Sequence, residues 1–199
     1  QTSGTGANAG GLAALGTITS ATSTNSFSTL SGPRSIVVDP TGRFVYVANQ
    51  TATGSYGTVS AYSIGSNGGL TIINTYQTTG YGAYGLAIDP QGKYLYVTNN
   101  SNSTTSDQGT SLDYFSISNS DGSLSGKTNV TSTGTGPRGV AIGSNSAGTY
   151  LYVASFTSNI VAAFSVDLNT GALAAVNTSS SNLYSNATST SGASGISID

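Results

Sequence analysis

Gly42-Arg43-Phe44-Val45-Tyr46-Val47-Ala48-Asn49 returns as Gly92-Lys93-Tyr94-Leu95-Tyr96-Val97-Thr98-Asn99, and again as Gly148-Thr149-Tyr150-Leu151-Tyr152-Val153-Ala154-Ser155. Each copy opens on a glycine and then alternates, the period of a β-strand. Phe44, Tyr46 and Ala48 share one face, while Val45 and Val47 share the other. A strand that is apolar on both faces must be covered on both.

Working outward, a shorter run precedes each copy. It reads Pro33-Arg34-Ser35-Ile36-Val37-Val38-Asp39-Pro40, then Ala83-Tyr84-Gly85-Leu86-Ala87-Ile88-Asp89-Pro90, then Pro137-Arg138-Gly139-Val140-Ala141-Ile142-Gly143-Ser144. A further copy closes the chain, Ala193-Ser194-Gly195-Ile196-Ser197-Ile198-Asp199. After each central run comes a third: Thr58-Val59-Ser60-Ala61-Tyr62-Ser63-Ile64, Ser111-Leu112-Asp113-Tyr114-Phe115-Ser116-Ile117 and Asn159-Ile160-Val161-Ala162-Ala163-Phe164-Ser165-Val166. A fourth begins at Gly69-Leu70, Gly122-Ser123-Leu124 and Gly171-Ala172-Leu173, and Gly11-Leu12-Ala13-Ala14-Leu15 belongs to the same class. Four strands repeated roughly every 50 residues are the signature of a propeller blade. The fold class read from the sequence is therefore all-β, a β-propeller of four-stranded blades.

The boundaries follow the repeat. Residues 1–31 hold a lone outer strand and linker, 32–80, 81–134 and 135–190 are blades, and 191–199 begin the next blade. Three blades are too few to close a ring. The expectation is an arc of a longer chain of about seven blades, about 350 residues at this repeat length. The alternative is completion of the open ends by neighbouring subunits.

Composition narrows the chemistry. The chain of 199 residues has five Lys or Arg, seven acidic residues (all Asp), and no Cys, His, Met or Trp. Ser (34), Thr (29), Gly (27) and Asn (16) fill just over half of it. Without Cys there is no disulfide or thiolate metal site. Without His there is no Ser-His-Asp triad and no imidazole base. No catalytic residue, metal site or cofactor is assigned on this basis. A formal charge of -2 with so few cations offers no footprint for nucleic acid. No apolar run approaches the ~20 residues of a transmembrane helix. The 36% of hydrophobic residues is low, yet they cluster in the strand runs, as a folded chain requires.

Tyr46-Val47-Ala48-Asn49, Tyr96-Val97-Thr98-Asn99 and Tyr152-Val153-Ala154-Ser155, each behind its glycine lead, resemble the YVTN-type repeat of lactonase-like (6-phosphogluconolactonase-like) β-propellers. The resemblance covers nearly the whole chain and implies the fold. It also implies that loops leading into the inner strands border the central channel, where the family's substrate sites lie. On that footing Arg34, Tyr84 and Arg138, at matched positions of three copies, are candidate ligand-binding residues for an anion; the alternative, which the residues alone favour, is that the repeated Pro-Arg packs across blades. The family's enzymes are understood to use His, Glu and Arg around the channel, and this sequence holds neither His nor Glu.

Two further sets are singled out. Asp39 and Asp89 could be catalytic or metal carboxylates, but Asp-Pro-x-Gly favours a turn in which the carboxylate accepts backbone N–H groups. Asn49, Asn99, Asn102, Asn129, Asn177 and Asn186 begin Asn-x-Ser/Thr sequons and are the glycosylation candidates. Tyr56, Tyr76, Tyr81 and Tyr84 fall in or near loops, where they could form a contact surface.

The expectation for function rests on the uncharged Ser/Thr/Asn surface. It is a secreted microbial propeller with a structural or interaction role: a glycosylated surface-layer, sheath or extracellular filament subunit. Its partners would be further copies, other cell-surface components and glycans. The first alternative is a lactonase-like hydrolase or isomerase acting on a sugar-derived lactone. The second is a carbohydrate-binding propeller.

Overall fold

The computed structural model describes residues 32–51, 55–100, 109–131, 133–176, 183–185, 192 and 195–197. The outer strand expected within 1–31 lies outside them. Of the inner strand expected at 193–199, the described residues 195–197 carry no strand pairing.

The described residues form strands only, in three antiparallel sheets. The first is β1 (Pro33–Val38), β2 (Phe44–Asn49), β3 (Tyr56–Ile64) and β4 (Leu70–Tyr81), in that order. The second is β5 (Ala83–Ile88), β6 (Tyr94–Asn99), β7 (Ser111–Ile117) and β8 (Leu124–Thr131). The third runs β9 (Pro137–Asn145), β10 (Gly148–Ser155), β11 (Ile160–Val166) and β12 (Leu173–Ala175). Its outer edge is split: β12 pairs with Phe164–Val166 and β13 (Leu183–Ser185) with Ile160–Ala162. Each sheet is a blade, and the inner strands β1, β5 and β9 lie side by side.

The turn from inner to second strand is set by its aspartate. Asp39 accepts N–H bonds from Arg43 (2.7 Å), Phe44 (2.7 Å) and Thr41 (3.0 Å), and one from the Thr41 hydroxyl. Burial works to raise its carboxyl, but the Thr41 hydroxyl and these backbone donors outweigh it and hold the group below its usual value. Asp89 makes the same turn with Gln91, Lys93 and Tyr94. Both aspartates are thus turn residues. The third blade has Gly143 instead, and there the hairpin runs on until Asn145 pairs with Gly148.

The core lies between blades, as the doubly apolar strands require. Phe44, Tyr46, Ala48, Val59 and Ala61 of the first blade pack against Leu86, Ile88, Leu95, Val97 and Phe115 of the second. Tyr94, Tyr96 and Leu112 of the second meet Val140, Leu151, Val153 and Phe164 of the third. The repeated tyrosine also locks the blades. Tyr46 Oη donates to the Gly122 carbonyl (2.9 Å) and Tyr96 Oη to the Gly171 carbonyl (3.0 Å), each in the outer turn of the following blade. Ile36 and Val38 on the leading face of the first blade are 65% and 51% exposed, whereas Leu86 and Ile88 at the same places of the second are both 7%.

Burial pushes the Tyr46 and Tyr96 phenols far above their ordinary value, with Asp39 adding at Tyr46 and Asp89 at Tyr96. In the unfolded chain the same phenols ionise near pH ~10. The folded state then holds protons that the unfolded state has lost, so stability is complete below that pH and falls as pH rises through it. Denaturant midpoints measured from pH 8 to 11.5 should be level at first and then drop. Tyr46→Phe/Tyr96→Phe should flatten that drop.

Candidate functional site

The starts of the inner strands and the ends of the second strands share one end of the arc. Gln50, Asn100 and Phe156 directly follow β2, β6 and β10. Each donates its backbone N–H to a glycine carbonyl before the inner strand: Gln50 to Gly32, Asn100 to Gly82 and Phe156 to Gly136, all at 2.9 Å. These glycines have φ of +70°, +66° and +67°, a region that disfavours side chains. A Cβ on Gly82 would also lie 2.3 Å from the Asn100 carbonyl oxygen. The sequence shows this as a glycine two places before Arg34, Tyr84 and Arg138.

Next comes a bulge. Pro33 pairs with Asn49 and Ser35 with Ala48, so Arg34 is left over. Pro137 pairs with Ser155 and Gly139 with Ala154, so Arg138 is left over. In β5 the register shifts between Ala83 and Leu86, the interval that holds Tyr84. An unpaired bulge residue is freed from the ladder and its side chain is re-aimed. All three candidate binding residues therefore occupy irregular positions of one kind.

The structure brings these three together. The Arg34 and Arg138 guanidinium carbons each lie 5.5 Å from the centre of the Tyr84 ring. Arg138 also lies 3.7 Å from the Phe156 ring centre, and Arg34 Nε donates to Gln50 Oε1 at 2.5 Å. The result is a ladder of Arg34, Tyr84, Arg138 and Phe156 across three blades. Each cation over an exposed aromatic face is worth about 0.5–1 kcal/mol, enough to order it without neutralising it. Arg138 is half-buried, and its Nε is sequestered from solvent with no hydrogen-bond partner among the described residues. Asp39 and Asp89 sit beyond the opposite ends of β1 and β5. Asp113 is buried and bonded to Thr79 and Asn129, while Asp121 and Asp167 lie in outer turns. Two guanidinium groups thus stand against one tyrosine ring, and each is a planar fork of the kind that suits an anion such as phosphate.

Gln50 and Phe156 were not among the residues the sequence picked out. Their signal is positional, since both follow the tyrosine-valine strand directly. Of the other tyrosines, Tyr56 and Tyr81 stack at the same end of the first blade, 4.9 Å apart and 5° from parallel, while Tyr76 packs on Phe115.

The sequons are not alike. Asn49 and Asn99 are fully buried, and Asn49 Nδ2 donates to Ser60 Oγ (3.0 Å) and Thr58 Oγ1 (3.3 Å). A glycan at either would require its strand to leave the sheet. Asn129 is exposed, with Nδ2 donating to Thr79 Oγ1 and Asp113 Oδ1. Asn102, Asn177 and Asn186 lie outside the described residues.

The family model described as "Lactonase, 7-bladed beta-propeller" matches residues 5–108 and 85–184. No curated protein matches the sequence. Among solved structures, a provisionally assigned 6-phosphogluconolactonase from Bacteroides uniformis is 27% identical, with a TM-score of 0.59, over 73% of this chain and 39% of that one. A protein from Bacteroides fragilis with the same assignment is 28% identical, with a TM-score of 0.59, over 73% and 38%. A periplasmic gluconolactonase from Pseudomonas aeruginosa, 24% identical with a TM-score of 0.58 over 72% and 38%, supports the fold. The chain spans about two fifths of the length of these structures.

These findings overturn the expectation of a structural surface-layer, sheath or filament subunit. That expectation rested on a surface rich in Ser, Thr and Asn. Such residues fill outer strands such as Leu70–Tyr81 and Leu124–Thr131, whatever a propeller does. Family match and neighbours point instead to the lactonase-like alternative: the chain belongs to the seven-bladed lactonase β-propeller family.

Proposed function

We propose that these blades form the anion-holding side of the channel mouth in a lactonase-like hydrolase whose substrate is a phosphorylated sugar lactone. The observation that carries the reading is the convergence of Arg34 and Arg138 on Tyr84. The assigned activity of the two Bacteroides relatives supports the lactone and its phosphate.

In lactone hydrolysis water adds to the ester carbonyl, the ring C–O bond breaks, and the ring oxygen takes up a proton. The described residues place no general base beside the arginines. Their part is binding: the guanidinium pair fixes the phosphate end and so sets the direction in which the ring points. A fixed orientation of that kind supplies much of a catalyst's advantage. The water-activating groups are assigned, in this reading, beyond the two fifths of the relatives' length that the chain spans.

The test is titration with 6-phosphogluconate, the stable product. Arg34→Ala and Arg138→Ala should each weaken product binding about tenfold or more, the worth of a charged hydrogen bond. Unchanged affinity in the double variant would overturn the reading.

A further inference from the structure

The ladder works only if Arg138 is held against Tyr84 across the boundary between the second and third blades. Beside the ladder one buried hydroxyl spans that boundary. Thr98 is fully buried in β6. At the matching place the first blade has Ala48 and the third Ala154, neither of which carries a hydroxyl. Thr98 Oγ1 accepts the Gly85 N–H at 2.8 Å and donates to the Arg138 carbonyl at 2.9 Å. One hydroxyl therefore joins β6, β5 and β9.

The approach is unusually close. A Cβ on Gly85 would lie 2.1 Å from the Arg138 carbonyl oxygen, so only glycine admits the third blade's backbone here. Gly85 also directly follows Tyr84, in the irregular stretch of β5. Thr98 thus receives the N–H of the residue after Tyr84 and grips the carbonyl of Arg138 itself. The strands that carry Tyr84 and Arg138 are thus tied to one buried hydroxyl.

We propose that Thr98 is a positioning residue of the channel mouth, which sets the placement of Arg138 against Tyr84 through the Gly85–Thr98–Arg138 hydrogen-bond chain. Its consequence for binding rests on the anion-site reading above, but its effect on Arg138 does not. Thr98→Val keeps the shape and loses the hydroxyl. Thr98→Ala copies the other two blades and serves if the valine variant folds poorly. Thr98→Ser keeps the hydroxyl.

Two readouts separate the questions. The Arg138 side-chain proton resonances report placement, because the group lies over the Phe156 ring and feels its ring current. Titration with inorganic phosphate reports the site. In Thr98→Val and Thr98→Ala the Arg138 resonances should leave their ring-shifted positions and phosphate binding should weaken about tenfold, as expected of a small misplacement. Thr98→Ser should restore both. Arg138 resonances that stay in place in both hydroxyl-free variants overturn the proposal. Resonances that move while the parent protein binds no phosphate uphold Thr98 and overturn the anion site instead.

Discussion

Replacing Tyr96 by alanine should lower the unfolding free energy by about 3–5 kcal/mol, the range for deleting a large buried ring. Tyr96 is inaccessible to solvent and belongs to the core shared by the second and third blades. Its ring lies 5.9 Å from that of Tyr114, and its hydroxyl holds the Gly171 carbonyl. Truncation leaves a cavity at a blade junction and strips the carbonyl of its donor. Tyr96→Phe removes only the hydrogen bond and should cost about 1 kcal/mol. Urea denaturation of the two variants separates packing from bonding. Equal losses would mean that the hydrogen bond, and not the ring, holds the junction.

Asp113→Ala should cost about 3 kcal/mol, the worth of a buried, multiply bonded carboxyl whose donors are left behind. Asp113 is fully buried in β7, at a place where β3 has Ser60 and β11 has Ala162. It accepts the Thr79 backbone N–H at 2.6 Å, the Thr79 hydroxyl, and Asn129 Nδ2 at 2.8 Å. Thr79 belongs to the first blade and Asn129 to the second, so the carboxyl joins their outer parts much as Tyr46 joins the same blades elsewhere. Asp113→Asn keeps the size but turns an amide donor toward other donors, so it should recover only part of the loss. Thermal unfolding checks both, and an alanine variant as stable as the parent would show that water replaces the carboxyl.

Much of the architecture was readable because each blade repeats its reasons. Two-sided apolar strands announce burial between neighbours, and Asp39 and Asp89 announce their turns. The split of the third outer strand into β12 and β13 left no mark, because the Ser, Thr and Asn of this part of the sequence suit strand and turn alike. At the site, Arg34, Tyr84 and Arg138 could be chosen by their matched places, but their convergence could not. It depends on bulges, which are properties of pairing between two strands and appear in neither strand's own alternation. Thr98 escaped notice for a related reason. Its place in the repeat marks it as core, and only the approach of Gly85 to the Arg138 carbonyl gives its hydroxyl a task. The structural-subunit expectation failed because surface composition reports solvent contact and says little about a few side chains at one rim.

The backbone bonds from Gln50, Asn100 and Phe156 to the glycines before the inner strands ask nothing of any side chain. The residues at 34, 84 and 138, and those at 50, 100 and 156, are therefore variables written on a fixed frame. Exchanging them can redraw the rim while the interlocked tyrosines and aspartate turns stay as they are. A propeller built this way can acquire a new ligand preference by point substitution, with little of its stability at risk.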